Sequence, residues 1–321
     1  MKFQFAIKSE LDKFDKIFPK AFSSKVALLN LILRYAIKQK GKRIRPALVF
    51  LISKCIAGEV NDRTYRGATL VELMHTATLV HDDVVDESFV RRSKFSINAL
   101  WKNKIAILIG DYMLSRVLLL AVDNGDHELL GHISQSVKKM SEGELLQIEK
   151  ARKLDIDEKI YTEIISKKTA SLISTCCIIG ASSVNADEDQ LESAKKFGFN
   201  VGMAFQIKDD LLDYQNFGES GKPSGIDVKE QKLTLPLIYA LNTASFGDKR
   251  KMMRIVKNKK DDPKSISWLM EKVLELGGMD YSKKVMDKYE NQAILHLEQF
   301  PESESKKALL QLVEFVVKRN L

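Results

Sequence analysis

Apolar residues recur at steps of three and four along nearly the whole chain. In "ATLVELMHTATLVHDDVVD", Leu70, Leu73, Ala77, Val80 and Val84 form one stripe at a helical period. Comparable stripes run through 25–38, 46–57, 105–122, 127–149, 158–179, 187–216, 265–275, 280–297 and 303–319. The breaks carry turn chemistry: "KQKGKRIRP" around Gly41, "GESGKPSG" from Gly218 and "NKKDDPKS" before Ser265. Period-two runs bounded by turns are missing, so no sheet is expected. All six prolines fall between the stripes or in a first helical turn, where a helix tolerates them. No linker is long or biased enough to mark a boundary. The pattern predicts an all-α protein, with one helical domain over 1–321.

With 45% of its 321 residues hydrophobic, the chain can bury a sizeable core. Cys55, Cys176 and Cys177 sit inside apolar runs with neither metal-ligand spacing nor an even count for disulfides, which points to a reducing compartment, the cytoplasm. The start, "MKFQFAIKSELDKFDKIF", mixes both charge signs and lacks the apolar core of a signal peptide. No run is read as approaching the ~20 apolar residues of a membrane span. The net charge of +8 suits nucleic acid, a membrane surface or anionic substrates, and does not by itself choose among them. The lysines are scattered and form no aromatic-studded basic strip, so no nucleic-acid partner is expected.

The stripe through 68–86 ends in Asp82, Asp83 and Asp86. On a helix, Asp82 and Asp86 lie one turn apart on one face, where like charges repel. Divalent cations relieve that repulsion, and carboxylate oxygens are hard ligands suited to Mg²⁺, which typically completes its octahedron with water and substrate phosphates. Asp209, Asp210 and Asp213 repeat the spacing in "QIKDDLLDY", framed by Phe205, Ile207, Leu211 and Leu212. One such motif reads most simply as a solvated acidic face. Two, both in apolar frames, read as facing clusters that hold a diphosphate between magnesium ions.

Basic groups stand where such an anion needs them. "GKRIRP" offers Lys42 and Arg45, Arg91 and Arg92 follow the first motif, "SKKTASL" gives Lys167, Lys168 and Thr169, and "SGKPSGIDVKEQKLTLP" gives Lys222, Lys229 and Lys232. Arginine grips phosphate through a planar fork and lysine as a point charge. Singly, each is a surface cation; as a set beside the carboxylates they suit two diphosphates. His75 lies seven residues before Asp82, two turns down the same face.

These blocks resemble the trans-isoprenyl diphosphate synthase (polyprenyl synthetase) family. "GKRIRP", "HTATLVHDDVVDESFVRR", "ILIGDYMLSR", "EGELLQIE", "KKTASL", "FQIKDDLLDY" and "GKPSGIDVKEQKLTLPL" occur in family order between about Lys38 and Leu241, and the rest matches only in helical character. Lys40 and Ser93 depart from the family pattern, which has glycine at both positions in many members. The resemblance implies a helical bundle of the isoprenoid synthase type around a central cavity, working as a homodimer. It assigns Asp82, Asp83, Asp86, Asp209, Asp210 and Asp213 to the aspartate-rich motifs, with Asp82, Asp86 and Asp209 as metal ligands and three Mg²⁺ per loaded site. Lys42, Arg45, His75 and Arg92 would bind isopentenyl diphosphate. Arg91, Lys168, Thr169, Gln206, Lys222 and Lys232 would serve the allylic diphosphate, with Lys168, Thr169 and Gln206 also acting in catalysis.

The implied reaction ionises the allylic diphosphate and adds isopentenyl diphosphate head-to-tail (1′-4). Small residues at Ala77 and Thr78, below the first motif, imply an open tunnel and a long-chain product of the quinone-side-chain type, with Met74 and Met140 deeper in the wall. The alternatives are a short-chain farnesyl or geranylgeranyl synthase and a non-catalytic subunit of a heteromeric synthase. Both aspartate motifs are intact, which weighs against the subunit reading, and a terpene cyclase would need no isopentenyl-binding set. Contact with a membrane surface is expected when the product is released.

Overall fold

The structure, a computed structural model, describes residues 1–22, 24–38, 41–91, 94–215, 225–259 and 261–318. Lys40, Arg92, Ser93 and Lys222 lie outside the described residues. The chain is helical almost throughout. After a 3₁₀ turn at Lys2–Ile7 come α1 (Lys8–Ile17), α2 (Ala27–Lys38), α3 (Ile44–Ala57), α4 (Asp62–Val85), α5 (Ile97–Asp123) and α6 (His127–Lys153). Then follow α7 (Glu158–Ile165), α8 (Ser171–Ser182), α9 (Glu188–Gln215), the short α10 (Ile226–Lys229), α11 (Leu235–Thr243), α12 (Phe246–Asn258), α13 (Pro263–Glu275), α14 (Gly278–Leu297) and α15 (Glu304–Lys318). Against the expectation of no sheet, β1 (Val90–Arg91) pairs antiparallel with β2 (Lys94–Phe95). The pair is too short to show as alternation in the sequence.

The residues gather into two compact units. One comprises 1–135, 175–195 and 298–311, the other 136–174, 196–297 and 312–321. Four of the five boundaries fall inside α6, α8, α9 and α15, and the fifth lies at the end of α14, after Leu297.

In the first unit α4 is the central element. Asn61 caps it, its Oδ1 accepting from the Thr64 amide at 2.9 Å. Every residue from Gly67 to His75 is buried, so the helix is covered all round rather than along the single stripe the periodicity suggests. α3 packs against it, with Phe50 on Tyr65, and Phe14 in turn on Phe50; Phe3, Phe14, Phe18, Phe50 and the apolar run of α3 are essentially inaccessible. A break at Lys102 sets off the first turn of α5, where Trp101 meets Tyr35 edge-on at 5.2 Å.

The second unit is built on α9, α11, α13 and α14, whose core includes Met203, Leu211, Leu237, Leu269 and Met286. At Ser166–Ala170 the helix widens into a π turn, closed by the Ser171 amide donating to the Ser166 carbonyl five residues back.

Two helical segments reach the length and hydropathy of a membrane span, which corrects the expectation that none does. The apolar stretch of Glu158–Ser182 is 72% buried and is a core helix. That of α5 is only 33% buried and leaves Ile107, Leu108, Leu118, Leu119 and Val122 exposed.

Candidate active site

The first motif ends α4. Asp82 is half-buried, Asp83 is buried, and Asp86 is the exposed C-cap, its amide still donating to the Asp82 carbonyl at 2.8 Å. The two residues expected to share a face are thus kept one turn apart. Asp83 faces inward and is paired: Nε and Nη2 of Arg91 both approach its Oδ1 at 2.7 Å. Burial pushes the Asp83 carboxyl up, and Arg91 pulls against that. Arg91, assigned to a substrate, therefore rests on the motif itself. Arg91, Asp83 and His75 line one small cavity of about 50 Å³ with Gly41, Arg43, Glu72 and Leu79. Lys42 is exposed and Arg45 half-buried, and neither lines that cavity.

Arg43, which the sequence reading passed over, anchors the loop between them. Its guanidinium meets Glu72 at 2.6 Å and Asp15 at 3.2 Å, and lies over the rings of Phe14 and Phe18 at 5.6 and 5.1 Å. The loop is tied from its other side where Gln4 Nε2 donates to the Lys42 carbonyl at 2.8 Å. Met74 and Ala77 are fully buried in α4, and the half-buried Thr78 turns its hydroxyl back to the His75 carbonyl at 2.9 Å. None of the three lines the 50 Å³ cavity, whose α4 residues lie on the face of Glu72, His75, Leu79 and Asp83.

The second motif lies at the end of α9 and is held by a relay of hydrogen bonds. Tyr161 Oη donates to Asp210 Oδ2 at 2.7 Å, Gln206 Nε2 donates to Asp210 Oδ1 at 2.9 Å, and Thr169 Oγ1 donates to Gln206 Oε1 at 2.7 Å. Lys168 meets Glu144 Oε2 at 2.5 Å and reaches Gln147 Oε1 at 3.4 Å. This explains the block "EGELLQIE": its acid and amide fix the lysine of "KKTASL". Two glycines let the π turn into this position. A Cβ on Gly143 would lie 2.8 Å from the Lys167 Cβ, and one on Gly202 would lie 2.5 Å from the Ala170 Cα. Met140 stands half-buried on α6, 3.9 Å by its sulfur from the Ser136 hydroxyl.

Asp213 accepts from the amides of Ile226 and Asp227 at 3.1 and 3.2 Å, which seats α10 on the motif. That brings Asp227 into the same electrostatic field, and it is a site residue the sequence reading did not single out. Burial first, then the neighbouring carboxylates, push Asp227 well above the usual carboxylate range, and burial does the same to Asp210. Burial and Asp210 likewise push the Tyr161 hydroxyl up, so it stays a donor. A cavity of about 230 Å³ joins Tyr161, Lys168, Thr169, Gln206, Asp210, Asp227 and Lys232. Lys232 also contacts Glu230 Oε2 at 2.5 Å.

Among the described residues no group of three or more His, Cys, Asp or Glu side chains comes together in a way that could hold a metal ion by itself. The donors fit Mg²⁺ nonetheless. Burial and neighbouring carboxylates raise Asp210 and Asp227, a hard cation beside them would favour their charged forms, and Mg²⁺ typically takes only one or two protein carboxylates.

The family model for Polyprenyl synthetase matches residues 26–273, beyond the span over which the resemblance is visible by eye. An all-trans-nonaprenyl-diphosphate synthase (geranyl-diphosphate specific) of Rhodobacter capsulatus is 35% identical over 315 residues, covering 95% of this chain and 93% of that one. A short chain isoprenyl diphosphate synthase of Methanothermobacter thermautotrophicus is 34% identical, covering 87% and 86%. The crystal structure of a decaprenyl diphosphate synthase from Rhodobacter capsulatus superposes with a TM-score of 0.93 at 31% identity, over 99% of this chain and 98% of the other. With the aspartate motifs, the π turn and the helical fold, these likenesses show that the chain is a prenyltransferase belonging to the polyprenyl synthetase family.

Proposed function

We propose that this prenyltransferase is a Mg²⁺-dependent all-trans polyprenyl diphosphate synthase, adding isopentenyl diphosphate head-to-tail (1′-4) to an allylic diphosphate until a long chain of the quinone-side-chain type is made. The observation that carries the reading is the Thr169–Gln206–Asp210–Tyr161 relay beside Lys168 and Lys232, around one cavity. Asp82, Asp86 and Asp209 would hold the metal, three ions in the loaded enzyme, with Asp83, Asp210 and Asp213 supporting them. Magnesium, when bound, supplies the positive charge that makes pyrophosphate a good leaving group.

The protein's own groups do the rest. Lys168 and Lys232, already fixed by Glu144 and Glu230, offer cations to the allylic phosphates without a search over rotamers. Lys222 joins them in this reading. The Thr169 and Gln206 dipoles are oriented before substrate arrives and stabilise positive charge developing on the allylic carbon. Lys42, Arg45, His75 and Arg92 receive isopentenyl diphosphate, and Arg91 turns from Asp83 to the allylic phosphates. No side-chain nucleophile is required, and the departing pyrophosphate serves as the base.

Small Ala77 and Thr78 support the long-chain reading, as does the predominance of long-chain over short-chain names among the curated relatives. The exposed apolar face of α5 supports a homodimer. The three free, buried thiols support a reducing, cytoplasmic setting.

Incubation with radiolabelled isopentenyl diphosphate, farnesyl diphosphate and Mg²⁺, followed by separation by chain length, tests the reading. A ladder ending well beyond geranylgeranyl is expected, and Asp82→Ala is expected to cut turnover by orders of magnitude while leaving the protein folded. A product stopping at geranylgeranyl would replace the long-chain reading with the short-chain one. Near-normal turnover by Asp82→Ala would overturn the role of the first motif, and no incorporation with any allylic primer would overturn the proposed activity of the chain alone.

A further inference from the structure

The strongest concentration of charge outside the site lies on α12. Between Lys249 and Lys259 the chain carries six basic residues and no acidic one, in a protein whose net charge is +8. The helix buries Met252, Ile255 and Val256 in the second unit's core, and its other face presents Lys249, Arg250, Lys251, Arg254 and Lys257 to solvent. Arg250, Arg254 and Lys257 fall at i, i+4 and i+7 and so share one face. Like charges at that spacing repel and destabilise the helix that carries them.

The face borders an open groove of about 740 Å³, lined by Lys153 from the end of α6, by Leu154 and Met253, and by Gly247, Arg250, Lys251, Arg254, Lys257 and Asn258. None of these lining residues is acidic. Asp248, the one acid of α12, is drawn away to Lys272 at 3.3 Å. At the amino end of the helix Phe246 is 85% exposed, the most exposed large apolar side chain among the described residues. One face of the Trp268 indole is covered by Lys251, whose ammonium lies 3.5 Å from the ring centroid, so that face is not open to a stacking base.

We infer that the α12 face is a docking surface for an anionic phospholipid bilayer. Its open, multivalent positive charge matches a sheet of lipid phosphates, which attracts basic residues lying within a Debye length of it. Phe246 supplies a single apolar anchor at the acyl boundary, as aromatic residues do on interfacial helices. α12 lies on the surface rather than inserting, because its apolar side is already occupied by the protein core. The choice of lipid over another polyanion rests on the prenyl-transfer reading: a polyprenyl chain is insoluble in water and needs a bilayer to receive it.

Sedimentation with vesicles tests this on the full chain. Phosphatidylcholine vesicles are compared with vesicles containing phosphatidylglycerol, at low and high salt. The protein is expected to partition onto the anionic vesicles only, and to be released by salt. Each basic residue near such a surface is worth roughly fivefold in partitioning, so the variant Arg250→Gln/Arg254→Gln/Lys257→Gln should bind ~100-fold more weakly. Phe246→Ser should bind roughly tenfold more weakly, since the phenyl ring's apolar burial is only partly realised at an interface. Both variants should incorporate isopentenyl diphosphate at the wild-type rate in detergent, which reports the prenyl-transfer reading separately. Wild-type partitioning by the triple variant would overturn the inference. So would failure of the wild-type protein to bind anionic vesicles, whether or not a short RNA or inorganic pyrophosphate is retained by α12 instead.

Discussion

Replacing Tyr161 by Phe removes one oxygen from a side chain that is buried among Ile165, Leu211 and Leu237, so the ring's packing is kept. What is lost is the 2.7 Å bond to Asp210 Oδ2, leaving Gln206 as the donor shown for that carboxylate. A hydrogen bond to a charged acceptor is worth roughly 1.5–3 kcal/mol. At about 1.4 kcal/mol per tenfold, that is ~10- to 150-fold in the ionisation of Asp210, or about one to two pH units. Burial already pushes this carboxyl up, and Tyr161 is one of the groups that pull it back down. Tyr161→Phe therefore raises it further, so the carboxyl beside Asp209 would lend its negative charge to a bound cation only at higher pH. The assay is isopentenyl diphosphate incorporation titrated with Mg²⁺ at several pH values. We expect about tenfold or more added Mg²⁺ to be needed near neutrality, the acid limb of the rate profile to move to higher pH, and partial rescue at alkaline pH. The melting temperature should fall by no more than ~5 °C, because the removed group contributes little packing. An unchanged Mg²⁺ requirement with an unchanged pH profile would refute the argument and leave Tyr161 a packing residue.

Three further outcomes follow from the same structure. Asp210 and Asp227 bind their protons more tightly folded than unfolded, so the stability they confer is complete at low pH and declines as pH rises through the neutral range. The metal-free protein should therefore lose melting temperature from these groups as pH rises from about 4, where the unfolded carboxyls ionise, to about 8, and Mg²⁺ with pyrophosphate, or Asp227→Asn, should flatten that slope, as read by differential scanning calorimetry. Thr78→Phe places a ring at a half-buried position on α4 and should shift the product ladder toward farnesyl and geranylgeranyl lengths, whereas an unchanged ladder would remove Thr78 from the tunnel wall. Leu118→Arg, on the exposed apolar face of α5, should convert a dimer to monomer in analytical ultracentrifugation, and a wild-type sedimentation coefficient would move the interface elsewhere.

What the sequence determined by itself was whatever depends on short-range spacing. The helical period is local, so the elements carrying both aspartate motifs were legible, as were the one-turn separation of Asp82 and Asp86 and the basic loops. α12 was not: it is written largely in lysine and arginine, and its three buried residues are too sparse to show as a stripe. The membrane-span length and hydropathy of α5 were likewise not legible, because Asp111 and Arg116 interrupt its apolar run. Tertiary structure decided everything that depends on partners distant along the chain. Asp210 meets Tyr161 from 49 positions away, and Arg43 is held by Asp15 and Glu72. Neither pairing has a periodic signature, because the chain between the partners sets their distance only after it has folded. The same holds for Asp227, which reads as one acid in a loop and becomes a site residue once α10 docks on Asp213. It holds too for Gly143 and Gly202, whose missing side chains matter only because the π turn packs against them. Residue type and spacing selected the chemistry, and packing decided which carboxylates are buried, which donors reach them, and how strongly they hold their protons.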